Sequence, residues 1–171
     1  NSQVKHDLAT SAYNDRRKSC ENVVAAMKKH WPNEDSLRDA TYDMLDEVRP
    51  EVSEEDALRA KYVIGEKYRV LEVCVALEEG DYEEVGKKMY ETHYGLSKEY
   101  EVSCPELDFL NDVAHSCGVT GSRIMGGGFG GCTINLVSDD LYANFIETAK
   151  KAYKEKFGKE PIVIDVVIGD R

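Results

Sequence analysis

The segment GGGFGG at positions 126–131 constrains the fold of this 171-residue chain more than any other stretch of its sequence. Glycine loses more backbone freedom on folding than any other residue, and it offers no side chain for packing. A run this dense is therefore expected where the backbone needs left-handed dihedral angles or approaches another group closely. Two interpretations are open on these residues alone: a strained connection between two strands, or a loop whose backbone contacts a ligand such as a phosphate or a sugar.

The same segment does not match either of the common nucleotide-binding loops. Gly126, Gly128 and Gly131 have the G-x-G-x-x-G spacing, but that fingerprint requires a strand before the loop and a helix after it. The residues that follow, CTINLV, predict a strand instead. No Lys-Ser or Lys-Thr pair follows the glycines to make a P-loop. The loop therefore indicates a ligand contact without indicating a reaction.

Apolar residues at helical spacing predict that most of the chain before the glycine loop is helical. A helix is also predicted after the loop, over 138–157. Before the loop, the predicted helices cover 11–30, 54–77, about 82–96 and the stretch between Ser103 and Gly118, with short helices and turns over 34–53. Ser53 is a favourable N-cap for the second of these, and the acidic residues after it suit the positive end of a helix dipole. Ser103 and Glu106 have the spacing of a capping box, so Ser103 is predicted to be an N-cap.

The hydrophobic period changes after these helices. Short β-prone runs at 121–125 and 132–137 flank the glycine loop, and strict alternation over 162–168 predicts a last strand. Helices followed by a strand–strand–helix–strand unit are typical of an α+β fold, in which helices back an antiparallel sheet. The length suits one domain, so residues 1–171 are expected to form a single domain.

The charge of the chain argues against two classes of partner. A net charge of −11 repels phosphate backbones and anionic lipid surfaces, so neither nucleic acid nor a membrane is an expected partner. No apolar run reaches the ~18 residues that a transmembrane helix needs. The first residues also lack the apolar stretch and cleavage site of a signal peptide.

The cysteines and histidines show no pattern of metal ligands. The five cysteines include no C-x-x-C pair, and an odd number of thiols indicates reduced cysteines in a cytoplasmic protein. The four histidines are scattered, so this chain is not expected to build a metal site. The chain begins at Asn1 rather than Met, and its first residues look like a strand in mid-fold, so we expect a piece of a longer protein.

Four stretches together resemble a known family. GSRIMGGGFGGCT at 121–133 resembles the third signature of the GHMP kinases in its galactokinase form, with Ile124-Met125 as a mild departure. The residues at 1–17, NSQVKHDLATSAYNDRR, are similar to another galactokinase segment, and so are those at 58–70, LRAKYVIGEKYRV. The stretch at 78–110 resembles a fourth segment, although Thr92 and Gly95 stand where serines are usual. On these motifs the chain is identified as a C-terminal domain of the galactokinase family.

The resemblance implies a fold and a reaction. The fold would be a ferredoxin-like antiparallel sheet backed by helices, with added helices. The reaction would be ATP-dependent phosphorylation of the anomeric hydroxyl of α-D-galactose, giving galactose 1-phosphate. The family's catalytic residues precede the start of this chain, so no catalytic residue is assigned here. ATP and Mg²⁺ would be bound mainly by an N-terminal domain that the chain lacks, and the fragment alone is predicted to be inactive.

The resemblance also implies which residues of this chain face the substrates. The tyrosine that contacts the sugar in the family corresponds to Tyr13, although a core or surface tyrosine is the more usual reading of its spacing alone. The glycine loop would lie against the substrate site through the following residues: Gly126, Gly127, Gly128, Gly130 and Gly131. Galactose and ATP are the expected ligands of the full-length protein.

Two other functions are compatible with the same motifs. One is a kinase for a related sugar, N-acetylgalactosamine or arabinose, because most residues that select the sugar lie outside this chain. The other is a galactose sensor that keeps the fold and the ligands but has no turnover.

Overall fold

Six α-helices and a two-stranded antiparallel sheet make up the part of the chain that the computed structural model describes, residues 1–5 and 11–166. The helices are α1 Ser11–His30, α2 Tyr42–Val48, α3 Glu54–Glu79, α4 Tyr82–Lys98, α5 Pro105–Ser116 and α6 Asp139–Phe157. A 3₁₀ turn, Arg49–Glu51, follows α2, and the strands are β1 Gly121–Met125 and β2 Cys132–Leu136. The predicted α+β class, with helices backing an antiparallel sheet, is confirmed.

Local capping accounts for where the two central helices begin and end. At the start of α3 the hydroxyl of Ser53 accepts a hydrogen bond from the amide of Asp56 at 3.1 Å. At its end Gly80 has φ of +71°, a left-handed angle that glycine adopts without strain. Asp81 then caps α4 by accepting from the amide of Glu84 at 3.0 Å. Both helices were predicted, and each extends two residues further than expected.

The predicted capping box before α5 is wrong. The N-cap is Cys104 rather than Ser103, and no side chain caps this helix. Pro105 occupies the first helical position, where its missing N–H is not needed and its fixed φ suits a helix start. This shifts Glu106 one position too close to the N-cap for a capping box. The hydroxyl of Ser103 instead donates a hydrogen bond to Asp108 Oδ1 at 2.6 Å.

The two strands on either side of the glycine loop form as predicted, and their register places Gly121 opposite Leu136 and Met125 opposite Cys132. The strand predicted over 162–168 is not found over 162–166, and its last two residues lie outside the described residues. Ile162 exchanges two backbone hydrogen bonds with Asn1, of 2.6 and 2.9 Å. The apolar side chains that follow are exposed, so their alternation has no buried face to stabilise a strand.

The apolar core is divided between two groups of helices. One cluster fills the space between α1, α2 and α3, and the other lies between α5 and α6. The largest fully buried members of the first are Val23, Met27, Leu45, Val48 and Ile64. In the described part of the chain no helix is long and apolar enough to span a membrane.

A close backbone contact sets β1 against α4. A Cβ atom on Gly86 would lie 1.9 Å from the carbonyl oxygen of Thr120, and one on Gly121 would lie 2.6 Å from the Cα of Gly86. Only glycine at both positions allows this approach. The buried amide of Asn111, on α5, donates to the carbonyl of Ser122 at 2.9 Å. Two helices therefore position β1, and with it the glycine loop that β1 leads into.

Candidate functional site

Tyr13 and the first two glycines of the loop line the same groove, which has a volume of about 900 Å³. Its walls come from α1, from residues 35–38, from α3 and from the 99–104 segment that connects α4 to α5, and the loop after β1 also lines it. Tyr13 lies in the first turn of α1, with 38% of its surface exposed. The two places at which the sequence predicted substrate contacts are therefore brought together.

Arg16 joins α1 to the 99–104 segment. Its Nε donates to the carbonyl of Tyr100 at 3.0 Å, and its Nη2 donates to the carbonyl of Glu101 at 2.8 Å. The guanidinium carbon lies 5.8 Å from the centre of the Phe129 ring. Because Arg16 is one turn after Tyr13 on the same helix, these contacts fix the position of Tyr13 relative to the loop.

The centre of the glycine loop packs against that same segment. The amide of Phe129 donates to the carbonyl of Val102 at 2.7 Å. A Cβ atom on Gly128, where φ is +80°, would lie 2.2 Å from this oxygen. A Cβ atom on Gly130 would lie 2.7 Å from the carbonyl oxygen of Val4. At these two positions glycine is required by close backbone contact within the chain.

The end of the loop is held by the first residues of the chain. The amide and the hydroxyl of Ser2 both donate to the carbonyl of Gly131, at 2.8 and 2.7 Å. The amide of Gly131 donates in turn to the carbonyl of Val4 at 3.1 Å. The buried hydroxyl of Tyr153, on α6, donates to the carbonyl of Ser2 at 2.6 Å. These contacts anchor the loop beneath the groove.

The predicted glycines thus divide into two sets with different surroundings. Gly126 and Gly127 line the groove, and Gly126 has a φ of +89° with open space around its Cα. Gly128, Gly130 and Gly131 hold the loop against the rest of the chain and are not among the residues that line the groove. Close packing and hydrogen bonding of the backbone account for the second set, and a ligand contact stays a prediction for Gly126 and Gly127.

The rim of the groove is basic in a chain whose net charge is −11. Its charged members are Arg16, Arg17, Lys28, Arg38, Lys67, Glu21, Asp35 and Glu66. The excess of cations over carboxylates favours anionic groups, such as phosphate oxygens, near this groove.

The carboxylates at the rim are paired with cations. Glu21 binds Arg17 at 2.8 Å, and Asp35 binds Lys28 at 2.6 Å. The hydrogen bond from Lys28 lowers the pKa of Asp35, so this carboxylate is a weak proton acceptor. Glu66 forms an ion pair with Arg69. The geometry suits binding and orientation of a ligand rather than removal of a proton from it.

Tyr100, on one wall of the groove, and the groups beside it are unreactive near neutral pH. Its ring stacks on that of Tyr62 with the ring centres 5.2 Å apart. Burial raises the pKa of both phenols, which therefore stay protonated near neutral pH. Burial also raises the pKa of the Cys20 thiol, so Cys20 is a poor nucleophile.

Over residues 1–5 and 11–166 no three His, Cys, Asp or Glu side chains are grouped as metal ligands.

Sequence reasoning missed the residues that connect the two sides of the groove. Arg16 and Phe129 both belong to motifs that were singled out, but only their neighbours Tyr13 and the glycines were assigned a role. The Arg16-Arg17 pair beside Tyr13 was the available signal. Nothing in the sequence indicated that Arg16 and Phe129 would both bind carbonyls of the 99–104 segment.

Comparison with known proteins supports the resemblance read from the motifs. Residues 74–155 match the family described as GHMP kinases C terminal. Galactokinase from Homo sapiens is 43% identical over 159 residues, covering 92% of this chain and 38% of that protein. Galactokinase from Clostridium beijerinckii is 41% identical over 172 residues, covering 99% of this chain and 44% of that protein. The chain therefore spans about four tenths of the length of these curated relatives.

A solved structure agrees with the sequence comparisons. Lactococcus lactis galactokinase complexed with galactose matches with a TM-score of 0.84 and 28% sequence identity. The match covers 94% of this chain and 42% of that one. Because the match to the Clostridium beijerinckii protein covers 99% of this chain, the likeness of sequence extends beyond residues 74–155 and includes α1.

Proposed function

We propose that this chain belongs to the GHMP kinase family, contains its C-terminal domain and is the sugar-orienting part of a galactokinase. The whole protein would transfer the γ-phosphoryl group of ATP to the anomeric hydroxyl of α-D-galactose. Residues 1–171 would form one C-terminal domain, and an upstream domain would supply the catalytic residues. The proposal rests on relatives that are named galactokinases and of which the chain covers about four tenths.

The observation that carries this proposal is the groove shared by Tyr13, Gly126 and Gly127. Tyr13 would hydrogen-bond a sugar hydroxyl through its phenol. Gly126 and Gly127 would let the sugar approach the backbone without meeting a side chain. Holding the sugar in one orientation contributes to phosphoryl transfer because that transfer depends mainly on positioning and charge stabilisation.

ATP and Mg²⁺ would be bound mainly by the upstream domain. The basic rim of the groove suits phosphate oxygens, so this chain would form one side of the phosphate environment. Among residues 1–5 and 11–166 no three His, Cys, Asp or Glu side chains are grouped as ligands for a divalent cation, and the proposal places the ligands of Mg²⁺ in the upstream domain. All five cysteines are free thiols, which supports a cytoplasmic location.

ADP release tests the proposal directly. The protein, extended through its upstream coding sequence, is offered ATP and Mg²⁺ with galactose, N-acetylgalactosamine or arabinose in separate reactions. We expect turnover with galactose and much weaker turnover with the other sugars. Preferred turnover of another sugar would contradict the proposed substrate. Saturable galactose binding without turnover would replace the kinase with a sensor.

The chain alone provides the complementary control. Residues 1–171 are assayed under the same conditions and are expected to release no ADP above background, because the proposal places the catalytic residues upstream. Galactose-dependent turnover by this fragment would contradict that assignment.

A further inference from the structure

A hydrogen-bonded cluster around Asp108 connects α4, α5 and the 99–104 segment. Asp108 lies in the first turn of α5, and its Oδ1 accepts from Ser103 Oγ at 2.6 Å. The same oxygen lies 3.0 Å from His93 Nε2, and Oδ2 accepts from Ser97 Oγ at 3.0 Å. His93 and Ser97 belong to α4, whereas Ser103 belongs to the 99–104 segment. One carboxylate therefore joins two helices and the segment between them.

His93 is buried, with 5% of its surface exposed. Burial lowers the pKa of its imidazole, which is therefore neutral near pH 7. The neutral ring donates through Nε2–H to the Asp108 carboxylate, and its Nδ1 has no hydrogen-bond partner among the described residues. The bond to Asp108 is thus the one side-chain hydrogen bond of this ring among the described residues, and it shares Oδ1 with the bond from Ser103.

The 99–104 segment presents three consecutive carbonyls to residues that shape the groove. The carbonyls of Tyr100 and Glu101 accept from Arg16, and the carbonyl of Val102 accepts from the amide of Phe129. Glu101 has a φ of +54°, an angle that non-glycine residues adopt at a cost of about 1–2 kcal/mol. A strained segment keeps this shape only when its surroundings hold it there.

We propose that Asp108 is a positioning residue for the groove, because through Ser103 it holds the 99–104 segment where that segment fixes Arg16 and the glycine loop. Asp108 is not among the residues that line the groove, so it acts on the substrate only through these contacts. The effect on catalysis rests on the proposed function. The effect on the glycine loop does not rest on the proposed function, and the two effects are measured separately.

Two matched substitutions separate positioning from general stability. Ser103→Ala and Ser97→Ala each remove one hydroxyl that donates to Asp108, but only Ser103 is part of the 99–104 segment. In the extended protein, Ser103→Ala should raise KM for galactose about fivefold, the effect of one lost hydrogen bond, while kcat changes less. Ser97→Ala should leave KM within about twofold.

Amide hydrogen exchange at Phe129 provides a readout that does not depend on activity. Ser103→Ala should speed exchange of this amide about fivefold, since its bond to Val102 opens more often, while Ser97→Ala should leave it nearly unchanged. Equal effects of the two variants on exchange, or no effect of either, would overturn the positioning role. If the unsubstituted protein does not turn over galactose, the proposed function fails, and the exchange experiment still decides the inference.

Discussion

The amide of Phe129 donates a hydrogen bond to the carbonyl of Val102 at 2.7 Å, and this contact fixes the middle of the glycine loop. The oxygen lies 2.2 Å from where a Cβ atom on Gly128 would be. The bond therefore requires that residue 128 has no side chain. It also places Phe129 beside Arg16, and so relates the loop to the helix that carries Tyr13.

Gly128→Ala should destabilise the protein more than Gly126→Ala. Both glycines have positive φ, which costs an alanine about 1–2 kcal/mol. At Gly128 the added carbon also overlaps the Val102 carbonyl, so the free energy of unfolding should fall by about 3 kcal/mol or more. Gly126 has open space where the added carbon would lie, so Gly126→Ala should lower the free energy of unfolding only by the cost of its positive φ. Urea denaturation of both variants measures the difference, and equal losses would show that the loop moves away from Val102 at little cost.

Tyr13→Phe should raise KM for galactose about fivefold in the extended protein, because it removes one hydroxyl from the sugar contact and leaves the ring in place. The kcat should change less. Tyr82→Phe is the matched control, since Tyr82 is 59% exposed and does not line the groove. Steady-state kinetics with galactose as the varied substrate measures KM and kcat of both variants. An unchanged KM in the Tyr13 variant would remove this residue from the sugar site.

Tyr153→Phe should lower the free energy of unfolding by about 1–3 kcal/mol, because it leaves the carbonyl of Ser2 without its buried donor. Burial raises the pKa of Tyr153 to about 12, so the hydroxyl carries its proton throughout the neutral range. Tyr94→Phe, at a residue 62% exposed, should change stability by less than about 0.5 kcal/mol. Thermal and urea unfolding of the two variants test this. Similar values for both would mean that the bond to Ser2 contributes nothing.

His93 should make the protein less stable as pH falls below about 6.5. Burial lowers the pKa of folded His93, although Asp108 and Asp112 oppose this shift and Lys98 adds to it. On lowering the pH through 6.5, the ordinary value, the unfolded chain takes up a proton that the folded chain does not. The free energy of unfolding therefore decreases as pH falls toward the lower folded pKa.

His93→Gln tests this pH dependence. Glutamine can still donate to Asp108 but does not titrate, so the loss of stability between pH 7 and 5.5 should become smaller. His115→Gln, at an exposed histidine on α5, should keep the decline of the unsubstituted protein. Urea midpoints across this pH range provide the comparison. An identical decline in the His93 variant would assign the effect to other groups.

Much of the fold was predictable because its determinants are local. The caps at Ser53, Gly80 and Asp81 each involve atoms within a few residues, and apolar spacing located the helices between them. The motif at 121–133 indicated the family whose model matches residues 74–155. The predicted capping box at Ser103 was wrong because Pro105, one residue beyond the N-cap, moved the helix start. The hydroxyl of Ser103 binds Asp108 instead.

The sequence by itself determined where the helices and the two strands lie, and that the loop at 126–131 needs a backbone rich in glycine. Period, caps and glycine content depend on neighbours along the chain, so they can be read without coordinates. Only the tertiary structure decided which contacts each glycine makes, because the partners are distant in sequence. Gly131 binds Ser2, which is 129 residues away, and Arg16 binds Tyr100, which is 84 residues away. Such contacts form when packing of the helices and the sheet brings separate segments together, and no local pattern encodes them.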